Sequence, residues 1–575
     1  MAADGTRWIV EGEIDPRWPI NTRGNVGEVF PEVLTPLSYE LAIPTAERAW
    51  RSTYFRLGIG TPDDFSSDDP VIIGLYGGYC YLNLSYLRMM GVRAPGSSAD
   101  AIDVSFFGEG DPPPYVPQPG DKNLKSSFRI LKTVLGALGQ RELPDVVSSS
   151  FQVAAAFESQ RPPLDESDDA LVDYLFAMRD PFFITFGNHM ETTALAAIVT
   201  GVLADACAAA GEPGLVTHLV GAAGDVRSAR YSLELWELAK LVRDEPRLAA
   251  VFDDGVDGIL DRLRSESEAQ AFLDRFDDFV TRHGHRGPND WELSGRTWDN
   301  TPELALVAVD RMRLSTTDLD PADRLADNEK RREAAIAKVR PAVGRLDRLN
   351  FDRAIKSAPY WAQAREATRD RAVRSTLPVK QVYRELVRRA AERGGSPDPS
   401  VVALLQPSTE LRPYLADPAS FAETLTERVA LRDRFAAVEP RFFITSQGEV
   451  PTIEELEAEQ AASPSTAATG EVLAGNAGSQ GVAKGKVRVV LDPADAGSLA
   501  PGEILVAPLT DPAWTPLFLP AAAVVVNVGA LMSHAVIVSR ELGIPCVVAV
   551  DGATERLETG MTVEVDGTAG TVTVC

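Results

Sequence analysis

The chain has 575 residues, 45% hydrophobic and 24% charged, a balance that permits sizeable cores and predicts three or four domains. Its formal net charge of −26 argues against a nucleic-acid partner and against an anionic membrane, since both select for surplus cations. The four cysteines, Cys80, Cys207, Cys546 and Cys575, stand far apart without zinc-ligand spacing and read as reduced thiols of a cytoplasmic protein.

In chain order, the stretch from Met1 to Pro16 is polar and acidic, with no signal-peptide core. The run from Asn25 to Ser38, which contains Glu28, is proline-punctuated and reads as a lid or corner. Short β-like runs are expected near Val71–Leu84 and Arg441–Thr445. Between them, apolar residues recur at helical spacing in Ser127–Leu143, Asp169–Arg179, Glu191–Ala210, Ser232–Val242, Glu266–Arg282, Ala322–Leu346 and Phe421–Val438. The Ala-rich run Ala194–Ala210 is too short for a membrane span and carries Asp205, so it is expected to be a buried helix.

Two segments of this helical region carry candidate chemistry. Thr281-Arg282-His283-Gly284-His285-Arg286-Gly287-Pro288 holds a His-x-His pair. Two histidines alone are too few for a metal site, and none is assigned. His285 or Arg286 reads either as a base or anion contact facing a substrate, or as a packed turn. Arg365 to Arg393 has nine basic and four acidic residues, a net charge of +5 inside an acidic chain. Arg365 and Arg369 share one helix face at i, i+4, where two guanidinium groups would clamp a phosphoryl oxygen; the alternative is a solvated basic face.

Residues 461–480 are small, polar and low in complexity, and are expected to form a flexible linker able to span roughly 60 Å at about 3.3 Å per residue. A β-rich segment opens at Gly481. Further on, the apolar run Ala521–Val528 reads as a strand and Ala535–Leu542 as a helix. His534 between them is placed at a helix N-terminus, where free N–H groups and the helix dipole favour an anion, with Ser533 as the N-cap. Gly560–Val574 alternates apolar and polar residues around Asp566-Gly567, which predicts a hairpin.

The run Gly529-Ala530-Leu531-Met532-Ser533-His534-Ala535-Val536-Ile537-Val538-Ser539-Arg540-Glu541-Leu542-Gly543-Ile544-Pro545 resembles the phosphohistidine swivelling domain of the phosphoenolpyruvate-utilising (dikinase) families. The preceding Thr510–Phe518 is similar to the rifampin phosphotransferase branch. Asn527 and Ala530 stand where that branch usually has Glu and a second Gly. Asn25–Ser38, the His285–Pro288 run and Arg365–Arg369 resemble the substrate domain of the same branch. Glu32, Thr368 and Arg369 replace its usual Gly, Pro and Lys.

The resemblance implies a multidomain α+β chain: a mainly α-helical substrate-binding region over 1–460, a linker over 461–480, and a β/β/α phosphohistidine swivelling (mobile) domain over 481–575. It implies that His534 carries phosphoryl and that Arg365 and Arg369 lie near the transfer site; in such a transfer His285 is the candidate base, and Arg286 and Glu28 are candidate substrate contacts. No nucleotide-grasp domain is recognisable, so ATP and Mg²⁺ are expected through a separate nucleotide-binding protein, with no tightly bound cofactor here. The expected function is a cytoplasmic phosphotransferase subunit acting on a hydroxyl of a small molecule, with no nucleic-acid or membrane partner. The alternative is a non-catalytic small-molecule binding protein derived from a dikinase.

Overall fold

The computed structural model describes residues 14–575 except 95–96, 108–111, 221–226, 315–320, 446–449, 463–465, 492–498, 511–513, 519 and 530–532. Ala530 and Asp511–Ala513 therefore lie outside the described residues.

The N-terminal region is built on helices, as expected. Five position the site: α1 (Pro36–Leu57), α2 (Leu124–Gly139), α3 (Arg179–Ala209), α4 (Gln270–His283) and α5 (Arg345–Arg374). The Asn25–Ser38 run is not a simple loop. It forms a short helical turn, Val26–Val29, and then starts α1, where the Thr35 hydroxyl accepts the Ser38 N–H and Pro36 occupies the first turn. Pro36 punctuates a helix start, so the prolines there mark a cap as well as a corner.

Helix α3 packs against α1 and α5. Its Leu195, Val199, Leu203 and Cys207 share a buried cluster with Phe351, Ala354, Ala358 and Trp361 of α5. By length and composition, Asp168–Ala209 is long and apolar enough to cross a membrane, and 33% of its most apolar stretch is buried; residues 194–209 are helical as expected but buried on one side only, with Ala197, Gly201 and Asp205 exposed. A second cluster gathers Phe272, Phe276 and Phe279 of α4 with Trp298. A small antiparallel sheet closes the region. Its strands β1 (Ile20–Thr22), β2 (Ile73–Tyr76), β3 (Tyr79–Asn83) and β4 (Phe443–Thr445) lie in the order β2-β3-β1-β4, so Asn21 faces both Asn83 and Ile444.

The C-terminal domain is one eight-stranded sheet in the order β5-β12-β11-β7-β8-β9-β10-β6. Its strands are β5 (Val472–Ala474), β6 (Asn476–Ser479), β7 (Val482–Val489), β8 (Ile504–Ala507), β9 (Ala523–Val526), β10 (Cys546–Val548), β11 (Thr562–Asp566) and β12 (Thr571–Val574). The central run β7-β8-β9-β10 is parallel. Strands β8 and β9 are buried along their whole length, which is why they read as continuous apolar runs. The expected hairpin is present as β11–β12, with Asp566 opposite Thr571.

The linker reading over 461–480 is corrected for most of its length. Residues 472–479 are strands β5 and β6 of the sheet. Before them, the Ala467 and Gly470 N–H groups bond to the carbonyls of Arg556 and Val574. The composition misled because its small residues serve close packing. A Cβ on Gly478 would lie 2.9 Å from the Cys546 carbonyl oxygen, and one on Gly567, opposite, would overlap that of Ser479.

Candidate active site at the domain junction

His534 is the first residue of helix α6 (His534–Leu542), whose N-cap is Ser533, accepting the Val536 N–H. The strand–turn–helix reading is therefore correct. Three contacts hold the residue, two of them on its imidazole. Nδ1 lies 3.1 Å from the Thr510 hydroxyl, and the ring meets Phe518 edge-on, 5.7 Å between centroids. The His534 backbone N–H donates to Glu28 Oε2 at 3.2 Å. Glu28 belongs to the N-terminal region, so this bond fastens the two parts of the chain together. Burial, then the charges of Arg369 and Arg286, lower the His534 pKa from 6.5 to about 3. The ring is accordingly neutral near pH 7, with the lone pair a nucleophile needs.

Loop 284–299 sets the cations. The Arg286 carbonyl accepts the Trp298 N–H, and the Gly284 carbonyl accepts that of Asp299. Gly287 lies so close to the Arg296 carbonyl that a Cβ would overlap it. This accounts for a glycine between Arg286 and Pro288. Asp290 Oδ1 accepts the Gly287 N–H, while its Oδ2 lies 3.1 Å from Arg286 and 3.6 Å from Arg369. One buried carboxylate therefore lies between both guanidinium groups. Burial opposes the Arg286 charge, but Asp290 and Tyr231 hold it firmly cationic, and its guanidinium lies over the Tyr231 ring at 5.5 Å. The loop is tied to the start of α1 by Glu292, which accepts the Thr35 and Ser38 hydroxyls, each at 2.8 Å. Lys380 is buried beneath it, donating to the Asp290 carbonyl at 3.0 Å, and burial lowers its pKa to about 8.

The remaining predicted residues are placed as follows. Arg365 turns to Glu366 at 2.8 Å and is partly exposed, so the Arg365/Arg369 clamp is not formed as a symmetric pair: Arg369 and Arg286 are the cations that act on His534. His285 is buried, with Nε2 2.8 Å from Asp370 Oδ1. His283 instead pairs with Glu234 at 3.1 Å. Among the described residues, no group of three or more His, Cys, Asp or Glu is placed to hold a metal ion.

Sequence reasoning missed Thr510, Asp290, Tyr231 and His189. His189 lies on α3 beside α5; burial, then Arg369, lower its pKa to about 3, while Glu366 opposes the shift. In the sequence it is a lone histidine on an apolar helix, and only the packing of α3 on α5 brings it to Arg369. Asn527, the departure from the branch pattern, has a local job. It donates to the Thr554 hydroxyl at 2.8 Å and accepts the Thr554 N–H at 3.0 Å.

Residues 188–366 match the rifampicin phosphotransferase fourth domain, and residues 499–570 match the mobile domain of PEP-utilising enzymes. Over 96% of its length the chain is 28% identical to the prodigiosin synthesizing transferase PigC of Serratia marcescens, covering 63% of that protein. It is 30% identical to a rifampicin phosphotransferase of a Streptomyces species over 63% of the chain and 41% of the relative. An uncharacterized phosphotransferase of Bacillus subtilis, YvkC, is 26% identical over 59% of the chain and 41% of its own length. The chain thus spans less than two thirds of these relatives. The resemblance read from the sequence holds: the C-terminal domain is a mobile domain of the PEP-utilising type, joined to a rifampicin phosphotransferase-like helical region.

Proposed function

We propose that this chain is a phosphotransferase component that carries phosphoryl on His534 and delivers it to a hydroxyl of a small molecule at the junction with the helical region. The observation that carries the reading is the seat of His534: a neutral imidazole at a helix N-terminus, its backbone N–H bonded to Glu28 of the helical region and its ring within the field of Arg369 and Arg286. A helix N-terminus favours an anion, and two fixed guanidinium groups favour the charge that spreads over equatorial oxygens in transfer. In this reading Nδ1 donates its proton to the Thr510 hydroxyl and Nε2 takes phosphorus. In delivery, the hydroxyl oxygen forms a bond to phosphorus as the N–P bond breaks. The electron pair of that bond returns to the ring, and the hydroxyl proton passes to a base.

Loading from ATP is assigned to a separate nucleotide-binding protein. The Mg²⁺ that accompanies ATP is assigned to that loading step as well, and no step here runs through it. The reading is supported by the phosphotransferases among the relatives.

The test is direct phosphorylation. Phosphoramidate, a small phosphoryl donor of histidine, is incubated with the intact chain, and the product is mapped by mass spectrometry. Acid-labile, base-stable phosphate on His534, absent from His534→Ala, is expected. A chain that takes no phosphate at His534, from phosphoramidate or from ATP with a loading protein, is a binding protein instead.

A further inference from the structure

His285 carries a buried atom that its own protein leaves unanswered. Nε2 lies 2.8 Å from Asp370 Oδ1, and an ionised carboxylate only accepts, so the N–H of the neutral ring is on Nε2. Nδ1 then bears the lone pair. It is buried, and no hydrogen-bond partner meets it. An acceptor left without a donor in the interior is costly, and a catalytic role is one of the reasons a fold retains such an atom. The missing partner must be a donor. Asp370 is fixed in turn: Arg371 binds its other oxygen from Nε at 3.0 Å, and the Arg371 guanidinium lies 4.4 Å over the Phe151 ring. Arg286, the cation shared with His534, is the next residue of the chain.

We infer that Nδ1 of His285 is the base that takes the acceptor's hydroxyl proton, and that Asp370 is a positioning residue that holds the ring in the tautomer for this; the inference rests on the phosphotransfer reading above. The O–H bond breaks as oxygen bonds to phosphorus. The proton goes to Nδ1, the N–P electron pair goes to the His534 ring, and Asp370 stabilises the imidazolium that forms. Burial, Arg286 and Arg371 disfavour that second proton and Asp370 favours it, with the result that the pKa of free His285 lies below 6.5. His285 in turn helps, after burial, to lower the pKa of His283. The site thereby selects an acceptor offering an O–H in place of one presenting only lone pairs.

The experiment uses the intact chain loaded at His534 with phosphoramidate, and water as the acceptor probe. Decay of phosphohistidine to inorganic phosphate is followed in the wild type, His285→Gln and Asp370→Asn, with circular dichroism as the check on folding. Both variants are expected to load normally and to decay about a hundredfold more slowly, the usual contribution of a general base. Because Asp370 raises the His285 pKa, the acid limb of the pH profile in Asp370→Asn moves to lower pH, a shift that a purely structural role does not produce. With only five histidines in the chain, ¹⁵N-histidine NMR reads the tautomer independently, and Nε2–H is expected at His285. Normal loading with unchanged decay, or an Nδ1–H tautomer, overturns the dyad alone. Failure to load overturns the phosphotransfer reading, and this inference with it.

Discussion

At the scale of single residues, the two members of the predicted Arg pair part company. Arg365 is spent on Glu366 and is partly exposed, whereas Arg369 shares Asp290 with Arg286 and acts on His534. Arg369→Ala is therefore expected to leave loading of His534 by phosphoramidate intact and to slow onward transfer about a hundredfold, the scale of one charge-assisted contact made in the transition state. Arg365→Ala is expected to slow it no more than about threefold. Loading and decay measured separately on each variant check this. Equal loss in both would restore the symmetric clamp. His534 and its Ser533 cap were legible in the sequence because strand, turn and helix are contiguous there. Tyr231 and His189 were not, because each reaches Arg286 or Arg369 from a separate element; Asp290 shares the loop of Arg286, but its link to Arg369 joins two elements far apart in the sequence.

At the scale of elements, periodicity located the helices better than it told which face is covered. In α2 the apolar residues Leu124, Phe128, Leu131 and Leu135 are exposed, while Ile130, Ala137 and Leu138 are buried. Two apolar stripes share one helix, and the sequence does not rank them. Phe128→Lys is expected to leave the melting temperature unchanged, whereas Ile130→Ala costs about 2–5 kcal/mol; thermal or urea unfolding of the two variants side by side decides it. The region 461–480 taught the converse lesson. Small residues signal flexibility only where nothing lies close to them, and here β6 pairs with β10 beneath Gly567. Gly567→Ala forces a methyl group into the Ser479 carbonyl and should destabilise the mobile domain by about 1–3 kcal/mol or more, measured as an earlier unfolding transition. An unchanged transition would mean that this stretch is a tether after all.

At the scale of the whole molecule, the correction to the linker shortens the tether available to the C-terminal domain. The helix Ile453–Ala462 contributes Ile453 and Leu456 to the core of the helical region, and from Ala467 the backbone is bonded to the mobile domain. The C-terminal domain is thus bonded to its own backbone from Ala467 onward, so residues 467–480 offer it no long tether. The docked pose is held by Glu28 on the His534 N–H and by Asn476, which donates to the Phe107 carbonyl at 3.0 Å.

Two groups make docking depend on pH, with opposite signs. His534 in the docked state has its pKa lowered from 6.5 to about 3, so below pH 6.5 the undocked ring takes a proton that docking must expel, and docking weakens as pH falls. Glu439 of the helical region bonds to Asn527. Desolvation of its carboxyl, then the charges of Glu555 and Asp551 of the mobile domain, raise its pKa from 4.5 to about 7. Above pH 4.5 the undocked carboxyl is ionised while the docked one holds its proton, so docking weakens as pH rises toward 7. Between pH 4.5 and 6.5 the two slopes oppose each other, and docking in the wild type is expected to be nearly flat. Glu439→Gln removes one of them, and docking should then strengthen steadily across that window, by at most about 1.4 kcal/mol per pH unit. Cys575 is the exposed cysteine of the chain and lies on the mobile domain, while Cys80, Cys207 and Cys546 are buried. A fluorophore there, paired with one on an introduced cysteine in the helical region, reports the distance. A Glu439→Gln titration as flat as the wild type would mean that the His534 seat is inside its own domain's shelter and owes nothing to docking.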